Sequence, residues 1–250
     1  MQQEKITFKN GRGDILSGVL HHPQGKPKGA AILCHGMDSD KESEKMIFLG
    51  HRFAETGVLA LRFDFAYVGE SSGKFEDITY SGEVEDLKAA HALVQDREPG
   101  RIALFGSSMG GTIALLFAAV EPRIAALVML AAPVHPETFP TRLLTGAQLR
   151  EWRDRGFTIY NGRRLNISLL EDLERLDVPR SARNVKCPVL ILHGDADAVV
   201  PVEEAYELRD SLTGAKRLSI LKGSDHRLSD PLLMQRGLDE AFEWMIKYVC

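Results

Sequence analysis

The sequence predicts an α/β fold, in which a mostly parallel sheet of eight strands carries helices on both faces. From about residue 29, short apolar runs alternate with longer segments of helical period, which is the pattern of strands joined by crossover helices. The runs are apolar almost throughout, as expected for strands that are buried on both faces. With 250 residues, of which 44% are hydrophobic, the chain is long enough to bury roughly 70 to 75% of its unfolded surface in one body.

The predicted strands begin with a hairpin. Residues 4–23, EKITFKNGRGDILSGVLHHP, predict two antiparallel strands that turn at NGRGD. Five buried strands and a weaker last one follow, at GAAILCHG, VLALRFDF, RIALFGSS, IAALVMLAAP, PVLILHGD and KRLSILKG. Helices are predicted between them at EKMIFLGHRFAETG, YSGEVEDLKAAHALVQD, MGGTIALLFAAVEP and VEEAYELRDSL. Residues 232–249 supply the last helix, because their apolar residues have the spacing of a stripe that faces a core.

Residues 134–184 interrupt this alternation. They lie between two predicted strands, are too long for an ordinary connection, and mix proline, aromatic and charged residues. We therefore expect an inserted cap over one edge of the sheet, with residues 1–133 and 185–250 forming the core. Residues 142–183 contain nine arginines against six acidic residues. That local surplus is typical of a solvated helical face, and it would also suit an anionic substrate.

Charge and cysteine content exclude several classes of protein. The chain has 31 Lys and Arg against 35 Asp and Glu. The two signs are interspersed, so the basic footprint of a nucleic-acid-binding protein is missing. Cys34, Cys187 and Cys250 have no CxxC spacing, which argues against a disulfide framework and against a thiolate zinc site. We expect neither a metal nor an organic cofactor.

The start of the sequence bears on location. The first residues, MQQEKITFKN, are polar and lack the order of a secretory signal, and no apolar run approaches the roughly 18 residues of a membrane span. We therefore expect a soluble, cytoplasmic protein with no membrane span. The oligomeric state stays open between a monomer and a homodimer.

A candidate nucleophile lies where the strand RIALFG runs into the helix that begins at Met109. The frame G-x-S-x-G, from Gly106 to Gly110, places Ser108 at the apex of a tight strand-to-helix turn. Such a turn lifts one side chain clear of the sheet, and the partial positive charge of the helix amino end points at the same place. Ser107 is expected to face back into the strand. Because a serine hydroxyl needs a neighbouring base, the pattern requires a histidine and an acid at this edge.

The base and the acid are expected in two later loops. His226 is the best candidate base, because LKGSDH places it directly after the last strand. In HGDADAVVP we choose Asp197 as the acid over Asp195, which is expected to hold the turn. Asp225 is a third possibility, disfavoured because a neighbour in sequence rarely orients the far ring nitrogen. The chain order Ser, Asp, His is the order that accompanies a strand-to-helix serine turn.

Acyl transfer also needs hydrogen-bond donors for the negative oxygen of its tetrahedral intermediate. The N–H of Met109 follows the nucleophile directly, and the N–H of Met37, in the loop after AILCHG, is positioned to supply the second donor. His35 and His193 each follow a strand within an HG pair. We expect these two histidines to shape their turns.

Together these segments resemble the α/β-hydrolase family. An early HG, RFDFAYVGESSGKFED, GSSMGG, HGDADAVVP and GSDH occur in order over nearly the whole chain. Within that family, GESSGKFEDIT and GSDHRLSD are similar to the cinnamoyl and feruloyl esterases, and the insertion lies where those enzymes carry a small substrate-binding cap. The resemblance implies the roles of nucleophile, acid and base for Ser108, Asp197 and His226.

Two segments differ from the pattern of those esterases. Ser107 occupies the position where they usually have histidine, and FDFAYVGES replaces the more common FDFRGHGES; both are expected near the substrate pocket. We predict a serine esterase that cleaves carboxylic esters, of hydroxycinnamoyl or other small acyl type, through an acyl-enzyme. A thioesterase, a monoacylglycerol lipase or a small peptidase would use the same three residues. A catalytically silent binding module on this fold is the alternative from another class.

Overall fold

The computed structural model describes residues 2–98 and 100–250. Its strands are β1 (Gln2–Lys9), β2 (Ile15–His22), β3 (Ala30–Cys34), β4 (Leu59–Phe63), β5 (Ile102–Ser107), β6 (Ile124–Leu130), β7 (Phe157–Tyr160), β8 (Arg163–Asn166), β9 (Val189–Gly194) and β10 (Lys216–Leu221). Its α-helices are α1 (Glu44–Glu55), α2 (Tyr80–Arg97), α3 (Met109–Ala118), α4 (Phe139–Leu143), α5 (Gly146–Arg155), α6 (Ile167–Leu173), α7 (Val178–Ala182), α8 (Val202–Ser211) and α9 (Pro231–Val249). Short 3-10 helices cover Phe75–Asp77 and Pro136–Thr138.

Eight of these strands form one sheet, in the order β1-β2-β4-β3-β5-β6-β9-β10. Strands β1, β2 and β4 pair antiparallel, and all pairs from β4 to β10 are parallel. The predicted mostly parallel sheet of eight strands is therefore confirmed. Because parallel strands end at the same edge, the loops after β3, β5, β9 and β10 emerge together; we call these four loops the carboxyl edge.

The helices cover both faces of the sheet, which explains why its central strands are apolar at every position. In β3 every residue is buried, and neighbours such as Ile32 and Leu33 belong to opposite hydrophobic clusters, as the two-residue period of a strand requires. The cluster of Leu33 contains α1 and α9, and the cluster of Ile32 contains α2, α3 and α8. One predicted helix was too long: α3 ends at Ala118, where the amides of Val120 and Glu121 turn back to the Phe117 carbonyl.

The insertion between β6 and β9 consists of α4, α5, the antiparallel hairpin β7–β8, α6 and α7. Its Trp152, Leu165, Leu169 and Leu173 are buried in the same hydrophobic cluster as the α2 and α3 face of the sheet. The insertion therefore packs on the sheet through a shared core. The division of the chain at residues 134 and 184 into cap and core stays a prediction.

The three cysteines lie in different environments. Cys34 and Cys187 are buried and Cys250 is exposed, all three as free thiols. Burial raises the pKa of the Cys187 thiol to about 12 and raises that of Cys34 further still. Across residues 2–98 and 100–250, no helix combines the length and apolar character that crossing a membrane requires.

Candidate active site

Ser108 lies between the last residue of β5 and the first residue of α3, in an uncommon backbone conformation. Its φ is 53° and its ψ is −124°. This region costs a non-glycine residue on the order of 1–3 kcal/mol, and a residue stays there only where the surrounding structure imposes it. Here the Ser108 amide donates to the Leu130 carbonyl at 2.7 Å, and the Ser108 carbonyl accepts from the Gly111 amide at 2.9 Å. The turn is therefore held from β6 on one side and from α3 on the other.

Two glycines allow the strand and helix to approach this closely. A Cβ on Gly106 would lie 2.3 Å from the carbonyl oxygen of Gly110, and a Cβ on Gly110 would lie 2.3 Å from the carbonyl oxygen of His35. Both obstacles are backbone atoms, which no side-chain rotation can move away. The G-x-S-x-G frame is thus required by packing at the turn as well as by its backbone path.

Three side chains from separate loops meet at the carboxyl edge. Ser108 Oγ lies 3.0 Å from His226 Nε2, and His226 Nδ1 lies 2.7 Å from Asp197 Oδ2. Because an ionised carboxylate only accepts, Nδ1 carries the proton, and Nε2 is left to accept the Ser108 O–H. The His226 side chain is 17% exposed and that of Asp197 is fully buried. The structure therefore brings together the three side chains that the sequence singled out.

The Asp197 carboxylate is held by its own loop as well as by His226. Its Oδ1 accepts from the amides of Val199 at 2.8 Å and Val200 at 2.9 Å. His193 Nε2, which donates to the Val200 carbonyl, lies 3.4 Å from Oδ2. Burial alone would raise the pKa of Asp197, but hydrogen bonds from His193 and His226 outweigh it, and the pKa lies well below its ordinary value. The carboxylate is therefore ionised over the physiological pH range.

The two other acids considered from the sequence have different partners. Asp195 is exposed, and its Oδ1 accepts from the Gly223 amide at 2.5 Å, which ties the loop after β9 to the loop after β10. Asp225 Oδ1 accepts from the Ser229 amide at 2.8 Å. Both carboxylates therefore brace backbone, while the imidazole of His226 is oriented by Asp197.

His35 fixes the loop after β3. Its Nε2 accepts from the Phe65 amide at 3.2 Å, so its Nδ1 is the protonated nitrogen and donates to the Gly36 carbonyl at 2.8 Å. Burial lowers the pKa of this imidazole, which keeps it neutral. Because the C=O and N–H of a trans peptide point in opposite directions, engaging the Gly36 carbonyl turns the Met37 N–H the other way. His35 thus shapes its turn, as expected.

Met37 and Met109, the expected oxyanion donors, both line the cavity that contains Ser108. A Cβ on Gly36 would lie 3.8 Å from Ser108 Oγ, so the loop of Met37 passes close to the hydroxyl. In the described part of the chain, the amides of Met37 and Met109 have no hydrogen-bond acceptor. Their role as donors to a reacting oxygen stays a prediction.

The cavity at the carboxyl edge has a volume of about 400 Å³, which is within the usual range of small-molecule sites. The insertion supplies His135 and Arg142 to its lining together with five apolar or aromatic residues, which we call the roof: Pro136, Phe139, Tyr160, Leu169 and Leu173. The rings of Phe139 and Tyr160 pack edge to face with centroids 5.6 Å apart. The roof offers an apolar surface to whatever binds beside Ser108.

Asp38 joins the roof to the loop after β3, a contact that the sequence did not reveal. Its carboxylate accepts from the Tyr160 hydroxyl at 3.0 Å and forms an ion pair with Arg163. The guanidinium of Arg163 also lies 3.6 Å from the ring centroid of Phe75. Asp38 directly follows Met37, and that adjacency was the only signal in the sequence that could have drawn attention to it.

The two segments that differ from the pattern of the feruloyl esterases, Ser107 and FDFAYVGES, lie in different places relative to the cavity. Ser107 lines the cavity, whereas residues 63–71 are absent from its described lining. One end of that segment contacts the N-terminal hairpin, where the Ser17 amide donates to Ser71 Oγ at 2.9 Å. Its acids Asp64 and Glu70 bind Lys41 Nζ, and the Phe65 amide donates to His35 Nε2. FDFAYVGES therefore supports the loop after β3 from behind and does not itself line the described cavity.

The arginines of the insertion are largely engaged with acids. Arg142, Arg153, Arg155, Arg163 and Arg164 each have a carboxylate oxygen within 4.0 Å. One of them, Arg142, lines the cavity, but it is paired with Glu204 on α8. The positive surplus counted in the sequence is thus mostly a set of surface ion pairs.

Comparison with known proteins places these features in a family. The family model described as "serine aminopeptidase, S33" matches residues 25–176. Palmitoyl-protein thioesterase ABHD10, mitochondrial, of Bos taurus is 27% identical over 234 residues, which cover 90% of this chain and 75% of that protein. The range matched by the family model, residues 25–176, includes Ser108 and Met37 and ends before the loops of Asp197 and His226.

Solved structures agree on the architecture. Est1E from Butyrivibrio proteoclasticus, solved with ferulic acid bound, has a TM-score of 0.87 and 26% identity, covering 98% of this chain and 99% of that chain. The mouse alpha/beta hydrolase domain-containing protein 10 has a TM-score of 0.82 and 20% identity, covering 98% of this chain and 99% of that chain. The latter likeness concerns the fold alone.

Proposed function

The chain belongs to the serine aminopeptidase, S33 family and has the α/β-hydrolase fold, and on that premise we propose that it is a serine hydrolase that cleaves carboxylic esters. The observation that carries the proposal is the relay from Ser108 Oγ to His226 Nε2 at 3.0 Å and from His226 Nδ1 to Asp197 Oδ2 at 2.7 Å. A hydroxyl in contact with a base that is itself oriented by an acid is the arrangement that nucleophilic catalysis by serine needs.

The geometry assigns each group a step. His226 Nε2 takes the proton of Ser108 as Oγ attacks the ester carbonyl, and Asp197 stabilises the imidazolium that forms. His226 then gives that proton to the leaving oxygen, so that an alcohol departs and an acyl-enzyme remains. Water activated by His226 hydrolyses the acyl-enzyme, releases the acid and restores the Ser108 hydroxyl.

The tetrahedral intermediate carries a negative oxygen, and two backbone amides are available to it. Met37 and Met109 line the cavity together with Ser108, and the Met109 amide is at the positive end of α3. Donors of this kind are commonly worth on the order of 100- to 1000-fold in rate each. No metal or organic cofactor takes part in the steps proposed here.

The apolar roof favours an apolar acyl group of limited size. The cavity of about 400 Å³ has room for a hydroxycinnamoyl group or a short to medium acyl chain. The likeness to Est1E, which was solved with ferulic acid bound, supports aromatic acids as the first class to try. We therefore propose a serine carboxylesterase of feruloyl type as the leading specificity.

A thioesterase is the second candidate, because relatives named palmitoyl-protein thioesterase match over 90% of this chain. A thiolate is a better leaving group than an alkoxide, so the same three residues would serve with less help from His226 as an acid. The family description favours peptide bonds as a third substrate type. These activities differ in what the cavity binds and share one nucleophile.

A fluorophosphonate probe tests the nucleophile without knowledge of the substrate. We expect a covalent adduct on the peptide that contains Ser108, lost in Ser108→Ala and retained in Ser107→Ala, with mass spectrometry as the readout. Absence of any adduct in the unmodified protein would favour a catalytically silent binding module. A panel of methyl ferulate, 4-nitrophenyl butyrate, a butyryl thioester and an aminoacyl anilide then ranks the substrate types by kcat/KM.

A further inference from the structure

Two cations line the active-site cavity without a partner of opposite charge. Lys45 on α1 and Arg227 in the loop after β10 share the cavity with Ser108 and His226. Within the described residues, no carboxylate oxygen lies within 4.0 Å of the side-chain nitrogens of Lys45 or Arg227, and neither side chain donates a hydrogen bond to the protein. Two such side chains at one wall form a positive surface that faces a bound molecule.

The other acidic and basic side chains of the cavity make a direct contrast, because each contacts a partner of the opposite type. The pairs are Asp38 with Arg163, His135 with Glu137 and Glu207, Arg142 with Glu204, and His226 with Asp197. Lys45 and Arg227 are the two basic side chains of the described lining that have no such contact. An anionic group of a substrate would form charge-assisted hydrogen bonds with these two side chains.

Two acids, Glu44 and Asp225, act on Lys45 from beyond ion-pairing distance. Glu44 is exposed, and Asp225 accepts from the Ser229 amide. Burial lowers the pKa of Lys45 and the charge of Arg227 lowers it further, while Glu44 and Asp225 oppose both effects. The amino end of α1, with its partial positive charge, lies at the same wall.

The position of this wall tells which part of the ester it meets. In the proposed reaction His226 gives its proton to the leaving oxygen, so the leaving group lies on the side of His226. Arg227 is the next residue in that loop, and Lys45, which lines the same cavity, is close enough to this loop for the charges of Asp225 and Arg227 to act on it. The acyl group then packs against the apolar side chains of the roof.

We propose that the substrate carries an anionic group, a carboxylate or a phosphate, on its leaving group, and that Lys45 and Arg227 bind that group. This inference rests on the proposed function and names the substrate class of the same site. The two residues are specificity determinants: they hold the alcohol or thiol part of the substrate so that its oxygen or sulfur lies within reach of His226 Nε2.

Three chromogenic esters that release the same type of phenol test the inference. They are 2-nitrophenyl acetate, which is neutral, 3-acetoxy-4-nitrobenzoate, which has a carboxylate on the leaving group, and 2-nitrophenyl hydrogen glutarate, which has a carboxylate on the acyl group. The measured quantity is kcat/KM, divided for each ester by its rate of hydroxide-catalysed hydrolysis. We expect the unmodified protein to prefer 3-acetoxy-4-nitrobenzoate over the neutral ester by about tenfold or more, as a charge-assisted contact provides.

Removing either cation should lower this preference. Lys45→Gln and Arg227→Gln are each expected to reduce the ratio of the two normalised kcat/KM values about threefold, mainly through KM, and the double variant should bring the ratio close to one. Arg227→Lys should retain part of the preference. Raising NaCl should weaken it in the unmodified protein, because salt screens exposed charges.

Matched controls lie at the opposite edge of the sheet. Lys26 precedes the amino end of β3 and Arg101 precedes that of β5, and both are exposed. Lys26→Gln and the Lys26→Gln/Arg101→Gln double variant remove the same charges and should leave the ratio as it is. An equal fall in the controls, a preference for the glutarate, or the absence of any preference for an anionic leaving group in both this ester pair and the thioester pair below overturns the inference while leaving ester hydrolysis in place.

Failure of the proposed function has a different signature: none of the three esters is hydrolysed above the level of Ser108→Ala, which overturns both proposals. A second substrate pair distinguishes the two sources of anion. Butyryl-coenzyme A carries phosphates on its leaving group, and the butyryl thioester of N-acetylcysteamine carries none. A preference confined to this pair assigns the wall to a phosphate, and one confined to the nitrobenzoate assigns it to a carboxylate; both support an anion site.

Discussion

The carboxyl edge and the roof enclose one cavity but are held in different ways. At the carboxyl edge, backbone contacts fix the position of Ser108: a strained φ of 53° and glycines whose Cβ would lie 2.3 Å from backbone oxygens. The roof is attached to the loop after β3 by polar side chains, with Asp38 accepting from the Tyr160 hydroxyl and pairing with Arg163, whose side chain is 42% exposed. The first kind of contact tolerates almost no substitution, and the second tolerates many.

This difference separates the chemistry from the choice of substrate. A group that transfers protons must lie within hydrogen-bonding reach of its partner at every turnover. The backbone contacts around Ser108 hold its hydroxyl in that position. A roof that only selects and orients the acyl group works with contacts worth a fraction of a kcal/mol to about 1 kcal/mol each, as is typical of exposed ion pairs. Substitutions at the edge should therefore act on kcat, and substitutions at the roof on KM.

The largest expected effect is at the proposed nucleophile. Ser108→Ala removes the attacking oxygen and should lower kcat by about 10⁶-fold, the size of the loss when a comparable serine enzyme is deprived of its nucleophile. Steady-state kinetics with 4-nitrophenyl butyrate measures it. Ser107→Ala is the matched control, since Ser107 also lines the cavity but His226 Nε2 contacts Ser108. If Ser107→Ala were the inactive variant, the nucleophile would be misassigned by one residue.

Asp197→Asn is next in size. The amide keeps the shape of the carboxylate but presents a donor to His226 Nδ1, which favours the wrong tautomer, and kcat should fall by about 10⁴-fold. The amides of Val199 and Val200 bind Oδ1, so the loop should keep its conformation and KM should change little. Asp195→Asn is the control, because that carboxylate binds the Gly223 amide. Equal losses in the two variants would contradict the assignment of the acid.

The sequence was sufficient to predict the carboxyl edge because its elements are local patterns. The central strands of the sheet are short apolar runs, and the residues of interest follow strand ends by no more than five residues: Ser108 after β5, Asp197 after β9 and His226 after β10. Parallel pairing then places the ends of those runs at one edge. The match of the predicted and observed sheet, and the convergence of the three side chains, both follow from this rule.

The roof and the pair of cations Lys45 and Arg227 could not be predicted in the same way. The contact of Asp38 with Tyr160 spans 122 residues, and neither residue belongs to a periodic pattern. Whether a lysine such as Lys45 has a counterion depends on which acids the fold brings near it, which composition does not reveal. The hairpin β7–β8, with four residues in each strand, is also too short to be distinguished from a loop.

Glycines test the contrast between the two regions in terms of stability. Gly110→Ala puts a Cβ 2.3 Å from the His35 carbonyl oxygen, so α3 or the loop after β3 must shift. We expect a loss of about 1–3 kcal/mol in the free energy of unfolding, as overpacking usually costs, together with a lower kcat. Gly146→Ala in the insertion meets only the Arg150 side chain at 3.6 Å and should change stability by less than about 0.5 kcal/mol. Urea unfolding of the two variants makes the comparison.

A smaller effect is expected where the roof is attached. Asp38→Asn weakens the contacts with Tyr160 and Arg163 and should raise KM for an aromatic ester about threefold to tenfold, with kcat nearly constant, since exposed pairs are individually weak. Glu151→Gln removes the exposed pair with Arg155 within α5 and serves as the matched control with unchanged KM. A fall in kcat without a change in KM would mean that Asp38 acts on the chemistry and that the two regions are not separable.

The smallest effect on activity is expected from a buried acid outside both regions. Glu83 on α2 is fully buried, and both of its carboxylate oxygens are without a hydrogen-bond partner in the described structure. Burial raises its pKa well above the ordinary value, and the nearby charge of Asp86 adds to the shift. The folded protein therefore holds a proton on Glu83 that the unfolded chain releases once the pH exceeds about 4.5.

Because the folded state binds more protons than the unfolded state above that pH, the contribution of Glu83 to stability is fully present below it and is lost as the pH rises toward the folded pKa. Glu83→Gln has no proton to lose. Its free energy of unfolding should therefore increase relative to that of the unmodified protein as the pH rises from 5 to 8. Each pKa unit of elevation within that window corresponds to about 1.4 kcal/mol. Urea unfolding at the two pH values measures the gain, and ester hydrolysis should proceed at its usual rate because Glu83 does not line the cavity in the described structure. A difference in stability that is the same at both pH values would show that Glu83 is already ionised in the folded protein at pH 5.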